Sequence, residues 1–87
     1  MKRTWQERFW LKVDKQAACW IWTGYRNQKG YGRFTIEPGV QRMAHRIAYE
    51  MVYGAVPEGL ELDHLCRNRT CVYPWHLEPV THQKNLK

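Results

Sequence analysis

The sequence predicts a small α+β domain held closed by a metal ion, and three observations carry that expectation. The chain has 87 residues, a length at which folding hides only a little over ~60% of the unfolded surface, so a hydrophobic core alone stabilises it marginally. Segments with helical hydrophobic spacing alternate with short aromatic and β-branched runs bounded by turn residues, the mixture expected of helices packed on small antiparallel sheets. The stretch LELDHLCRNRTCVYPWHLEPVT, residues 60–81, gathers cysteines and histidines at spacings suited to a metal. No linker, repeat or low-complexity segment is evident, and residues 1–87 read as one domain.

In chain order, TWQERFWLKV brings Trp5, Phe9, Trp10 and Val13 onto helical spacing behind Thr4, which predicts a short capped helix with an aromatic face toward the core. CWIWTG and YGRFTI read as strands and YRNQKG between them as a turn, so the expectation is an N-terminal β-hairpin with Cys19 at the start of its first strand. EPGVQ forms a second turn. RMAHRIAYEMVYG then places Met43, Ile47, Tyr49, Met51 and Tyr53 on a helical pattern that Gly54 closes. VPEGLELDHL turns at Pro57 and Gly59 and enters a strand with Leu60, Leu62 and His64 on one face. Thr81 is placed to cap a final helix, HQKNLK, barely more than one turn long.

The formal charge of +6 and the pI near 9.5 come from basic residues spread through the chain. They favour a polyanionic partner, nucleic acid first, although mild basicity also serves solubility alone. Arg26, Lys29, Arg33, Arg42, Arg46, Arg67 and Arg69, distributed over several elements, are the candidate phosphate contacts, with His45 beside Arg46 a backbone contact, an active-site group or a plain surface imidazole. No stretch approaches the ~20 apolar residues of a membrane span, and MKRTWQERFW has no apolar run resembling a signal peptide, so a cytoplasmic protein without a membrane partner is expected.

In a reducing compartment an odd number of cysteines, two of them close to histidines, favours metal ligation over a disulfide. Cys66, Cys71 and His76 lie four intervening residues apart, short enough to wrap around one ion. Tetrahedral zinc requires a fourth ligand. Cys19 is chosen over His64 or His82 because thiolate is the softer donor and because this choice ties the N-terminal half to the C-terminal loop; the alternative leaves Cys19 a small buried hydrophobe. The predicted structural site is therefore Cys19, Cys66, Cys71 and His76 around Zn2+.

FWLKVDK, CWIWTG, GYGRF, AHRIAYE, YGAVPEGLELDHLC and HLEPVT together resemble the small phage and bacterial HNH endonucleases, and DHLCRNRTCVYPWHL is similar to the zinc-bearing core of the His-Cys box homing endonucleases. The resemblance covers nearly the whole chain. It implies a ββα-metal (His-Me finger) fold, a two-stranded ribbon packed on a helix around one divalent ion, here with a structural zinc and an N-terminal hairpin. By that resemblance His64 is the general base, Asn85 holds the catalytic ion, and Asp63 is an acidic ligand just before the histidine. A regular strand points Asp63 away from His64. The implied activity is hydrolysis of phosphodiester bonds in double-stranded DNA, in a bacterial or phage-infected cell.

Elementary chemistry fits that division. A neutral imidazole with a pKa near ~6.5 can take a proton from water at physiological pH, and a hard ion on oxygen ligands, Mg2+ or Mn2+, stabilises phosphoryl charge while Zn2+ suits the thiolates. Arg33 is a further candidate, since its planar fork can clamp a phosphate. The sequence departs from the family at Tyr73, where CVYP stands for an expected CVNP and a hydroxyl replaces the bracing amide. The rival reading is a zinc-stapled DNA-binding module without catalysis, which has no need of Asp63, His64 and Asn85 together. A homodimer is the arrangement expected if both strands are cut.

Overall fold

The structure, a computed structural model, describes residues 4–15 and 18–81. Helix α1, Trp5–Trp10, starts at Thr4, whose hydroxyl accepts the Glu7 N–H at 3.2 Å and so satisfies one of the free donors of the first turn. The helix ends sooner than its hydrophobic spacing predicts. Val13 belongs to strand β1, Val13–Asp14, which pairs antiparallel with β2, Ile21–Trp22.

The expected hairpin between CWIWTG and YGRFTI does not form. Strand β3, Arg33–Glu37, pairs with β4, Val40–Met43, across the Pro38–Gly39 turn, where Gly39 takes the left-handed φ of 81°. The reason lies in hydrogen-bonding edges, of which a strand has two. One edge of β2 faces β1. The other is taken by the loop near Cys71, through Trp22 N–H to the Thr70 carbonyl at 2.9 Å and Val72 N–H to the Trp20 carbonyl at 2.7 Å. No edge is left for β3. Residues between the two runs instead fold around the Trp22 indole, whose Nε1 donates to the Tyr25 carbonyl at 2.9 Å, closed by a single Arg26–Gly32 bridge. Cys19 consequently precedes β2 by two residues, in a bend.

Helix α2, Ala44–Tyr53, follows β4 without a loop and closes at Gly54, whose N–H bonds the Glu50 carbonyl at 2.9 Å. Its buried face is Ala44, His45, Ile47 and Ala48, while Met43 ends β4 and Tyr53 is exposed. The core joins this face to Phe9, Trp22, Phe34 and Val72. Edge-on rings fill it, with Phe9 and Phe34 centroids 5.4 Å apart at 89°.

Strands β5, Glu61–His64, and β6, Leu77–Val80, form an antiparallel ribbon in the register Glu61 to Val80 and His64 to Leu77. Leu62 and Leu77 join Val56 in a second small core. The loop between the strands ends in a 3-10 turn, Pro74–His76. Ribbons and helices thus make a small mixed α/β domain of the expected class. The final helix expected after Thr81 lies outside the described residues, and with it His82 and Asn85.

Candidate metal centre and active site

The loop between β5 and β6 brings Cys66, Cys71 and His76 together, and the bend before β2 delivers Cys19 to the same point. The four ligand atoms lie within 4.8 Å of one another. Cys19 Sγ is 3.6 Å and Cys71 Sγ 3.5 Å from His76 Nδ1. Tetrahedral zinc, with bonds of ~2.3 Å to sulfur and ~2.0–2.1 Å to nitrogen, sets sulfur–nitrogen edges at about 3.6 Å, so the donors fit that ion. Burial pushes the Cys19 thiol up and the Cys71 thiol up to about 12, and the crowded Cys66 thiol adds to both. Packed thiols without a cation resist ionising; a divalent cation reverses that preference. Arg67, at a left-handed φ of 63°, and Asn68, whose side chain accepts from Thr70 N–H and hydroxyl, shape the loop.

Tyr73 packs in this wall instead of reaching across it. Its ring stacks on Trp20 at 4.6 Å and 20° and meets the His76 ring edge-on at 4.8 Å. Support that an amide would give through hydrogen bonds comes here through ring contact.

His64 ends β5 on the buried face with Leu62, and Asp63 lies on the opposite face with Glu61. His64 is 6% exposed, and its Nε2 lies 3.1 Å from the Cys71 carbonyl oxygen. A carbonyl only accepts, so the neutral ring carries its proton on Nε2 and leaves Nδ1 as a bare lone pair. Burial lowers its pKa from the ordinary value, and the Arg69 charge acts the same way; the carbonyl and Asp63 oppose them.

Beside it sits His45, 7% exposed, on the first turn of α2, which excludes the surface-imidazole alternative. Burial, then His64 and Arg46, brings its pKa down to about 3, so it is neutral. The His45 and His64 rings are 4.6 Å apart, and Tyr31 lies 5.7 and 5.8 Å from them. Arg69 covers Tyr31 at 5.2 Å and donates to the Lys29 carbonyl at 2.9 Å, joining the metal loop to this ring cluster. Sequence reasoning missed Tyr31. Its signal was the flanking glycine pair in GYG, where Gly32 leaves room for the Trp22 ring.

Other expected residues are not drawn in. Arg33 Nε donates to Gln41 on the β3–β4 ribbon at 3.0 Å. Arg26 donates to the Trp22 carbonyl at 2.9 Å. Arg42 and Arg46 share Glu50, at 2.8 and 3.8 Å, which offsets part of their charge, while Lys29, Arg67 and Arg69 are exposed.

The chain belongs to the HNH endonuclease family, whose family model matches residues 42–87, the segment that supplies α2, the β5–β6 ribbon and three of the four clustered metal donors. Its relatives are phage proteins. It is 42% identical to Protein 7.7 of Escherichia phage T7, over 77% of this chain and 51% of that protein. It is 36% identical to the Uncharacterized gene 5.3 protein of Enterobacteria phage T3, over 70% and 65%. It is 34% identical to Protein 2.8 of Escherichia phage T7, over 86% and 50%. The chain thus spans between half and two thirds of the length of these curated relatives. No solved structure matches it significantly. Among the described residues no helix is long and apolar enough to cross a membrane.

Proposed function

We propose that the chain is a metal-dependent DNA endonuclease of the ββα-metal type, in which zinc on Cys19, Cys66, Cys71 and His76 holds the fold and His64 is the general base. The observation that carries this reading is the setting of His64: buried at the end of a ribbon strand, with Nε2 on the Cys71 carbonyl. The neutral ring then offers Nδ1 to a water, takes its proton and leaves hydroxide to attack the phosphodiester, an effect typically of ~10²–10⁴-fold. Its lowered pKa keeps it unprotonated at neutral pH.

Asp63 and Asn85 are the proposed holders of Mg2+ or Mn2+, which supplies electrostatic stabilisation to the pentacovalent phosphate and the leaving 3′-oxygen when bound. Asp63 is near enough for its charge to act on His64, although it faces the other side of β5. Asn85 is carried by the family resemblance. Arg69, which covers the Tyr31 ring beside His64 and whose charge acts on His64, is the first cation proposed for the scissile phosphate, ahead of Arg33 on the β3–β4 ribbon. Arg26, Lys29, Arg67 and Arg69 are proposed as further contacts to the DNA backbone.

Supercoiled plasmid incubated with zinc-loaded protein tests the reading. Nicked product should appear only with magnesium or manganese, and linear product would indicate a homodimer. DNA binding without cutting in either metal would instead support a zinc-stapled binding module.

A further inference from the structure

The mechanism above uses His64 and leaves His45 without a role, although the two imidazoles share one buried cluster. His45 comes from α2 and His64 from β5, so their contact joins the helix to the ribbon. Their centroids are 4.6 Å apart and their planes 52° apart. Tyr31 completes a third wall, within 5.8 Å of both. His45 Nδ1 is buried and, among the described residues, has no hydrogen-bond partner. A buried nitrogen that bonds nothing does not anchor its ring, and packing is what this side chain provides.

Among the described residues the hydrogen bond that anchors the His64 imidazole runs from Nε2 to the Cys71 carbonyl. One hydrogen bond fixes a distance but leaves the ring free to roll about it and to turn over, which would put Cε1 at the carbonyl and Cδ2 on the substrate side, and a ring released from the carbonyl is no longer held to the Nε2-protonated tautomer. A rigid ring packed 4.6 Å from it and tilted by 52°, with Tyr31 on a further side, restricts that freedom by filling the space the ring would sweep. A charged ring there would also oppose the proton that His64 must accept.

We propose that His45 is a positioning residue, its neutral ring holding the His64 imidazole in the single orientation that leaves Nδ1 free. This deepens the assignment of His64 as base and rests on it for its catalytic consequence. A hollow of about 390 Å³, lined by Tyr31, Met43, His45, Arg46, Glu61 and Leu62, adjoins the His45 ring. It gives room for the slightly larger phenyl ring, so shape and nitrogen chemistry can be separated by His45→Phe and His45→Ala.

The test combines nitrogen-15 histidine spectra of zinc-loaded protein without DNA with steady-state cleavage. The starting protein and His45→Phe should show His64 as one Nε2-protonated tautomer. His45→Ala should show a tautomer mixture, at least a 10-fold lower kcat, and unchanged zinc content and KM for duplex DNA; His45→Phe should recover most of kcat. If His45→Ala does not fold, His45→Leu fills the volume without a flat ring and must lose the single tautomer. A single tautomer and full kcat in His45→Ala, or in the folded His45→Leu, overturns the proposal, as does a His45→Phe protein as impaired as His45→Ala. Should His64→Ala still cleave, the base assignment falls, while the spectra still decide whether His45 orients His64.

Discussion

His45, His64 and His76 are chemically the same side chain, and their neighbours separate them. His76 turns Nδ1 toward two thiols, His64 binds a carbonyl through Nε2, and His45 is enclosed with an Nδ1 that has no hydrogen-bond partner among the described residues. The last of these has a measurable consequence for stability. With its folded pKa near 3 and an unfolded value near 6.5, His45 binds a proton in the unfolded chain but not in the folded one between those limits. Stability should therefore be full above about pH 6.5 and fall on acidification toward pH 3, by up to about 1.4 kcal/mol per pH unit from this group. Denaturant titrations at stepped pH should show the slope reduced in His45→Phe; an unchanged slope would place the acid sensitivity elsewhere. The clustering of Cys19, Cys66, Cys71 and His76 was legible from spacing, softness and the need to tie the two halves of the chain together. The ring cluster was not, because Tyr31, His45 and His64 lie far apart in the chain and meet only once α2 packs beside the ribbon.

At the scale of elements, α2 and the β5 strand were readable because each has a strong hydrophobic period and a turn residue at its boundary. The N-terminal pairing was misread because pattern identifies strands but not which edge is free, and the metal loop had already occupied one edge of β2. That same pairing makes Cys19 a structural equal of Cys71. Structural zinc sites contribute ~10–16 kcal/mol apparent at neutral pH, so Cys19→Ala should lose zinc and unfold the domain about as severely as Cys71→Ala. A folded, zinc-loaded Cys19→Ala protein would remove Cys19 from the ligand set. Trp22 gives a second test of the local architecture. A Cβ on Gly24 would stand 2.7 Å from the indole, and one on Gly32 would clash with the same ring at Cδ1 and Cγ. Gly24→Ala should cost ~1–3 kcal/mol, as overpacking does, read as a lower denaturation midpoint at unchanged slope.

For the whole molecule, the net charge of +6 is distributed over several elements, and binding should be dominated by phosphate contacts. Log affinity for duplex DNA should fall linearly with log salt, by about 0.9 per phosphate neutralised. Arg42→Ala and Arg46→Ala should change that slope less than Arg69→Ala, because Glu50 already offsets the first two. The mixed α/β class and the grouping of Cys66, Cys71 and His76 were visible in the sequence because both rest on short-range spacing, whereas Cys19 joins that group only through the fold. The division of labour between them is a property of the assembled domain, and the central claim is that the zinc centre stabilises the fold while His64 serves the chemistry. Its most direct test is zinc content and magnesium-dependent plasmid cleavage measured on one preparation of His64→Ala. The account predicts one zinc per chain, an intact fold and cleavage lower by ~10²-fold or more. Loss of zinc from that protein, or undiminished cleavage by its zinc-loaded form, would contradict it.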